Sequence, residues 1–200
     1  MYYSNSDIED ILSSTAMLTM IFVIFSIVFL VLIAMYVLNS IGLYRMAKKV
    51  GNDKAWLAWI PYAKIWLMFT LPDSEYRVLA INKVIDDRST AFWIFIAIQY
   101  GASIVLSVLS AIPFIGWIFG LISPLMSIVL ILVYIFMMFP VYKSLYAMFL
   151  PEASAQNYAI ASIICAYLVP IVTPILMLIV SGKEPIVTEA PVYDQQYYTY

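Results

Sequence analysis

No charged residue occurs between Asp10 and Arg45. About 20 apolar residues are enough for a helix to cross a bilayer, and the need to satisfy backbone polar groups in lipid makes a helix the form such a run takes. Residues 11–44 are therefore expected to form a first membrane helix. The surplus length implies tilt, or first turns that lie at the interface. The preceding flank is acidic (Asp7, Glu9, Asp10). A cleavable signal peptide has a basic flank and a shorter apolar run, so an uncleaved helix is expected, with residues 1–10 as an external flank.

The remainder of the chain has the same character. Hydrophobic residues make up 64% and charged residues 11%, whereas a soluble domain carries about 25% charged residues. Lipid must cover the excess apolar surface. Further spans are expected at about 90–112, 117–142 (ended by Pro140 and Lys143) and 158–180. Eight of the ten Lys and Arg residues fall between Arg45 and Arg88, and the N-terminal flank has none. By the positive-inside rule the loop 45–89 is cytoplasmic and the N-terminus external. Four spans then place the C-terminus outside, with Lys183 arguing the other way. Were the aromatic stretch after Asp53 itself a span, there would be five crossings and an internal C-terminus. The tail 183–200 is polar, acidic and tyrosine-rich and is expected to be disordered. The fold class expected is all-α, a polytopic membrane helix bundle in the plasma membrane.

Small residues recur at helix-face spacing: Ser103, Ser107 and Ala111; Gly116, Gly120, Ser123 and Ser127; Ala155, Ala159, Ser162 and Ala166. Such stripes let helices approach closely in lipid and serve packing within the chain or homodimerisation. Asn39, Gln99 and Thr173 are the larger polar groups within the spans, and each needs a partner there. Gln99 is expected to face the bundle, satisfied by a serine or a backbone carbonyl. Pro170 and Pro174, in VPIVTP, each remove an internal hydrogen bond and are expected to kink the fourth span.

Chemistry is hard to find. The chain has no histidine and one cysteine, Cys165, which removes the commonest general base and zinc ligand. The four expected spans contain no Asp, Glu, Lys or Arg, the residues that mark proton relays, ion-coupled carriers and voltage sensors. No catalytic residue, metal site or cofactor is expected. A net charge of −2 without a basic stripe gives no reason to expect nucleic acid. Asp86, Asp87, Arg88 and Lys83 are expected to form a solvated cluster.

The most distinctive stretch is WLAWIPYAKIW, residues 56–66. Trp56, Trp59, Tyr62 and Trp66 are residue types that collect at the membrane–water boundary. Lys64 is the one charge and can snorkel to the headgroups. Pro61 divides the segment into two short helical pieces, expected as a re-entrant or interfacial hairpin on the cytoplasmic face. After it, Val78, Ile81 and Ile85 at helix spacing, behind Asp73 or Ser74 as cap, predict a short amphipathic helix.

The pattern IGLYRMAKKVGNDKAWLAWIPYAKIWLMFTLPD resembles an element in small, uncharacterised multi-pass membrane proteins of Gram-positive bacteria: a first span, a basic turn, then a W-L-A-W-I-P-x-x-x-x-W/Y block. The later stretch VYKSLYAMFLPEASAQNYAIASIICAYLVPIVTPILMLIVSGKEP is similar to the end of the same proteins. Many relatives have Asn where Ala63 or Lys64 stands here. The resemblance covers roughly half of the chain. It implies a bacterial multi-pass fold and carries no activity.

Three functions fit these residues. One is a non-enzymatic scaffold or accessory subunit that acts through a membrane-protein partner or a second copy. Another is a small transporter or channel for a neutral solute or lipid, lined by Ser103, Ser107, Gln99 and Thr173. The third is a lipid-binding protein whose Arg45, Lys48, Lys49, Lys64 and Arg77 attract anionic lipid.

Overall fold

A computed structural model describes residues 5–79, 83–112 and 114–186. Helix α1 runs from Asn5 to Lys49. It stops at Gly51, whose φ of +76° suits a residue without a Cβ, and Asn52 N–H closes the end on the Ala47 carbonyl at 3.0 Å. A 3-10 turn (Ala55–Trp59) and helix α2 (Pro61–Thr70) follow. They meet at Pro61, which fits the first turn of a helix because it has no N–H to leave unpaired.

The amphipathic helix expected after Asp73 is instead a two-stranded antiparallel hairpin, β1 (Tyr76–Val78) and β2 (Lys83–Ile85), with Tyr76 opposite Ile85 and Arg77 opposite Val84. Side-chain alternation explains the correction. Tyr76 is buried, Arg77 exposed and Val78 half-buried, and β-branched and aromatic residues suit a half-buried strand. Ile81, which completed the helical spacing, lies outside the described residues.

Asp87 caps helix α3 (Arg88–Ile96), accepting from Ser89 N–H at 3.0 Å and Thr90 N–H at 3.1 Å. The Thr90 hydroxyl, with the Ser89 N–H, holds this carboxyl below its usual range. The helical course continues through a π-turn (Ala97–Gly101) into α4 (Ala102–Ser110). Helix α5 (Ile115–Ala147) then returns. It passes straight through Pro140, where the third span was expected to end. A proline frees the carbonyl four residues back, here that of Phe136, and the next carbonyl along takes a donor from outside the helix. The Tyr76 hydroxyl donates to the Met137 carbonyl at 2.8 Å.

The single fourth helix expected over 158–180 is two helices, α6 (Glu152–Leu168) and α7 (Val172–Ser181). Pro170 and Pro174 do more than kink it. Pro170 lies in the break, and Pro174 lies in the first turn of α7, where its missing N–H costs nothing. The chain reverses there: the Thr173 hydroxyl reaches back to the Ser162 carbonyl at 2.9 Å. At the far end Ile186 N–H bonds the Met148 carbonyl at 2.7 Å, just ahead of α6. Both ends of the α6–α7 pair therefore lie at one end of the molecule.

Among the described residues, three helical courses are long and apolar enough to cross a membrane: Ser13–Lys49, Arg88–Ser110 and Gly116–Ala147. The core lies at one end of them. It comprises the last turns of α1, the 3-10 turn, α2, β1, the start of α3, the last third of α5, α6 and α7. Phe69 anchors it, with ring centroids 5.6 Å from Tyr76, 6.0 Å from Phe92 and 5.7 Å from Phe95. Each such pair adds about 0.5–1.5 kcal/mol beyond its burial. Helix α7 lies against α1, and a Cβ at Gly42 would stand 3.1 Å from the Met177 backbone, so glycine lets the two helices meet this closely.

Candidate functional site

The aromatic stretch is built as the 3-10 turn and α2. Trp56, Trp59 and Tyr62 are exposed, and Trp66 is half-buried. Tyr62 meets Tyr100 edge-on, with centroids 5.5 Å apart. Lys54 Nζ stands 5.5 Å from the centre of the Trp66 ring, whose Nε1–H donates to Ser89 Oγ at 3.4 Å. The result is a platform with three large aromatic side chains outward.

Lys64 does not snorkel. It is 9% exposed, and its Nζ lies 4.7 Å from the centre of the Tyr36 ring on α1. The face of an aromatic ring attracts a cation and draws the side chain inward. The Tyr36 hydroxyl donates to the Trp59 carbonyl at 2.6 Å and fixes that ring to the platform. Burial lowers the Lys64 pKa to about 8, since desolvation disfavours the charged form.

Arg88 likewise leaves the solvated cluster expected for it. It is 9% exposed and donates to the Ser74 carbonyl at 2.6 Å, the Phe69 carbonyl at 2.9 Å and Ser74 Oγ at 2.9 Å. These bonds tie the C-terminal turn of α2 to the loop before β1. A cation is well placed beside the carbonyls that end a helix. Burial pushes the Tyr76 phenol above its ordinary value, so it remains a donor to α5.

The small-residue stripes have different fates. Ala155, Ala159 and Ser162 are buried and Ala166 is half-buried. Ser162 joins three helices, with its Oγ 2.8 Å from the Tyr146 hydroxyl and its carbonyl accepting from Thr173. Ser103 and Ser107 instead face outward, their hydroxyls turned onto the carbonyls of Gln99 and Ser103 at 2.7 and 2.9 Å. Gly120 and Ser127 are exposed and Ser123 half-exposed. Gly116 sits in the turn, where a Cβ would run into the Ser110 carbonyl.

Among the described residues the side chain of Gln99 does not meet the serine or backbone carbonyl expected for it, and its Oε1 is buried without a hydrogen-bond partner, as are Asn39 Oδ1 and Ser40 Oγ. The polar lining considered for a carrier is not gathered: Ser103 and Ser107 point away while Thr173 is buried on Ser162. Among the described residues no three His, Cys, Asp or Glu side chains come together to hold a metal. No family model, curated protein or solved structure matches the chain.

Proposed function

We propose that this chain is a multi-pass plasma-membrane protein that acts without catalysis, as an accessory or scaffold subunit holding a membrane partner between its apolar arms. One observation carries the proposal. Residues 13–34 of α1 are exposed at every position except half-buried Ser26. The small-residue faces of α4 and α5 also point outward. Small outward faces are what a second helix uses to pack in lipid. The core at the other end holds these arms in place.

In the membrane we place the core end in the cytoplasm. Arg45, Lys48, Lys49, Lys54, Lys143 and Lys183 all belong to it, in keeping with the positive-inside rule. Helix α1 enters from outside, α3–α4 crosses back, α5 returns, and α6–α7 dips in and comes out on the side it entered. This arrangement has three crossings and a cytoplasmic C-terminus, and Lys183 no longer conflicts with the charge rule.

The test is site-directed photo-crosslinking in membranes, with benzoylphenylalanine replacing Phe29 on α1 or Val108 on α4. An adduct of defined protein mass at both positions is the expected result, a doubled mass identifying a second copy. Adducts to lipid alone at both positions would remove the scaffold proposal.

A further inference from the structure

A cavity of about 640 Å³ opens beside the C-terminal end of α5, lined among others by Phe139, Lys143 and Leu150, by Arg77 of β1 with Glu75 just before it, and by Glu152 of α6. Lys143 Nζ and Glu152 Oε1 are 3.0 Å apart, and the Glu152 side chain keeps 79% of its surface open. Glu152 therefore retains acceptor capacity beyond that one pair.

The depth of the cavity follows from the helices, given the membrane placement proposed above. The course Arg88–Ser110 has 23 residues, about 35 Å at 1.5 Å per residue. That is close to one hydrocarbon thickness plus a margin. Helix α5 turns back at Gly116, so an equal length down it ends near Met138. Phe139, Lys143 and the cavity then lie level with Arg88, in the headgroup layer. Arg88 itself bonds the carbonyl of Ser74, which also lines the cavity.

The charges select the ligand. A simple anion gains from Arg77 and Lys143 but meets Glu75 and Glu152, and a simple cation meets the reverse. A zwitterion with phosphate and ammonium on a short linker pairs with both signs. A primary ammonium can donate to carboxylates, whereas a quaternary one is recognised by an aromatic cage that one Phe139 does not make. We infer that the cavity binds the headgroup of a phosphatidylethanolamine-type lipid, its phosphate toward Arg77 and Lys143, its ammonium toward Glu75 and Glu152, and its glycerol and first methylenes along Phe139.

The full-length protein is placed in nanodiscs with a photoactivatable phosphatidylethanolamine, or a phosphatidylglycerol bearing the same diazirine, and labelled peptides are mapped. Phosphatidylethanolamine should label residues 74–79 and 139–152 roughly tenfold more than phosphatidylglycerol, the worth of one good charge-assisted hydrogen bond. Ala147→Trp, which fills the cavity from its half-exposed wall, should abolish the preference. Glu75→Gln with Glu152→Gln should reverse it toward phosphatidylglycerol. Equal labelling by both probes, or a preference that neither set of substitutions moves, overturns the inference. So does loss of labelling to millimolar free phosphoethanolamine, which marks a soluble ligand. A rise in labelling when Tyr193, Tyr197 and Tyr198 are changed to Ser also overturns it, because the tail is then the occupant. Labelling of residues 117–136 by either probe reports membrane placement and variant folding independently. Its absence refutes the placement; its presence without a preference at the cavity refutes the lipid site alone.

Discussion

Lys64 and Arg88 are both buried cations, yet they differ in what burial does for the fold. Arg88 has three hydrogen bonds to oxygen, and Arg88→Met should destabilise the protein by roughly 3 kcal/mol or more, because bonds to a charged group are lost and buried carbonyls are left unpaired. Lys64 has an aromatic face as its partner, and its pKa falls from 10.5 to about 8. Below pH 8 both folded and unfolded chains carry the proton, so the cost of burying the charge is present in full. Between pH 8 and 10.5 the unfolded chain holds the proton and the folded chain has released it, so stability rises with pH through that window. Lys64→Met should raise stability at pH 7, by up to about 3 kcal/mol, and flatten the rise. Thermal unfolding in detergent at pH 7 and pH 10 checks both, and an unchanged slope in Lys64→Met would show that another group titrates. The sequence shows Lys64 as the one charge in its segment, but its inward turn depends on Tyr36, a distant residue on α1. Arg88 reads as one of a run of charges because the carbonyls it serves belong to elements whose geometry the sequence does not show.

At the scale of elements, strong local signals were legible and three-dimensional returns were not. The uncharged run of α1, the break at Pro61 and the stop at Gly51 each follow from residues within a turn of the event. The hairpin of β1 and β2 is not legible because Val78, Ile81 and Ile85 carry helical spacing, and Val78 shares a face with Ile85 only through the cross-strand pairing of Tyr76 with Ile85, in a hairpin that Tyr76 anchors on α5. The residues point to a kink where the chain in fact reverses after α6, because proline spacing says that a helix ends without saying where the chain goes next. Gly42 carries the contact that closes this return. Gly42→Val should force α7 from α1 and cost about 1–3 kcal/mol, the usual cost of overpacking. Gly120 has nothing within 4 Å of an added Cβ, so Gly120→Val should leave monomer unfolding within about 0.5 kcal/mol of wild type while weakening the photo-crosslink at Val108. Thermal unfolding and crosslink yield, measured on both variants, separate a contact within the chain from a face offered to a partner. Equal destabilisation by the two would show that the exposed stripe packs within one copy.

For the whole molecule, the position of the C-terminus distinguishes a crossing fourth helix from a returning pair. Two hydrogen-bonded links hold the chain beyond α7 at the end where α1 finishes and α6 begins: Lys49 Nζ to the Lys183 carbonyl at 2.7 Å, and Ile186 N–H to the Met148 carbonyl. Lys49 also pairs with Glu184 at 3.1 Å, although an exposed pair of this kind adds at most about 1 kcal/mol. A helix that crossed the bilayer after α6 would carry residue 184 some 30 Å from Lys49, and none of these links could form. The return therefore predicts that residues 53 and 184 face one compartment and residue 4 the other. In a Cys165→Ser background, single substitutions Ser4→Cys, Asp53→Cys and Glu184→Cys are treated on intact cells with a membrane-impermeant maleimide. Ser4→Cys should react at once, and the other two only after the membrane is opened. Reaction of Glu184→Cys on intact cells alongside Ser4→Cys would mean that α6 and α7 together cross the bilayer, and the proposed cytoplasmic grouping of Lys49, Lys143 and Lys183 would fail with it.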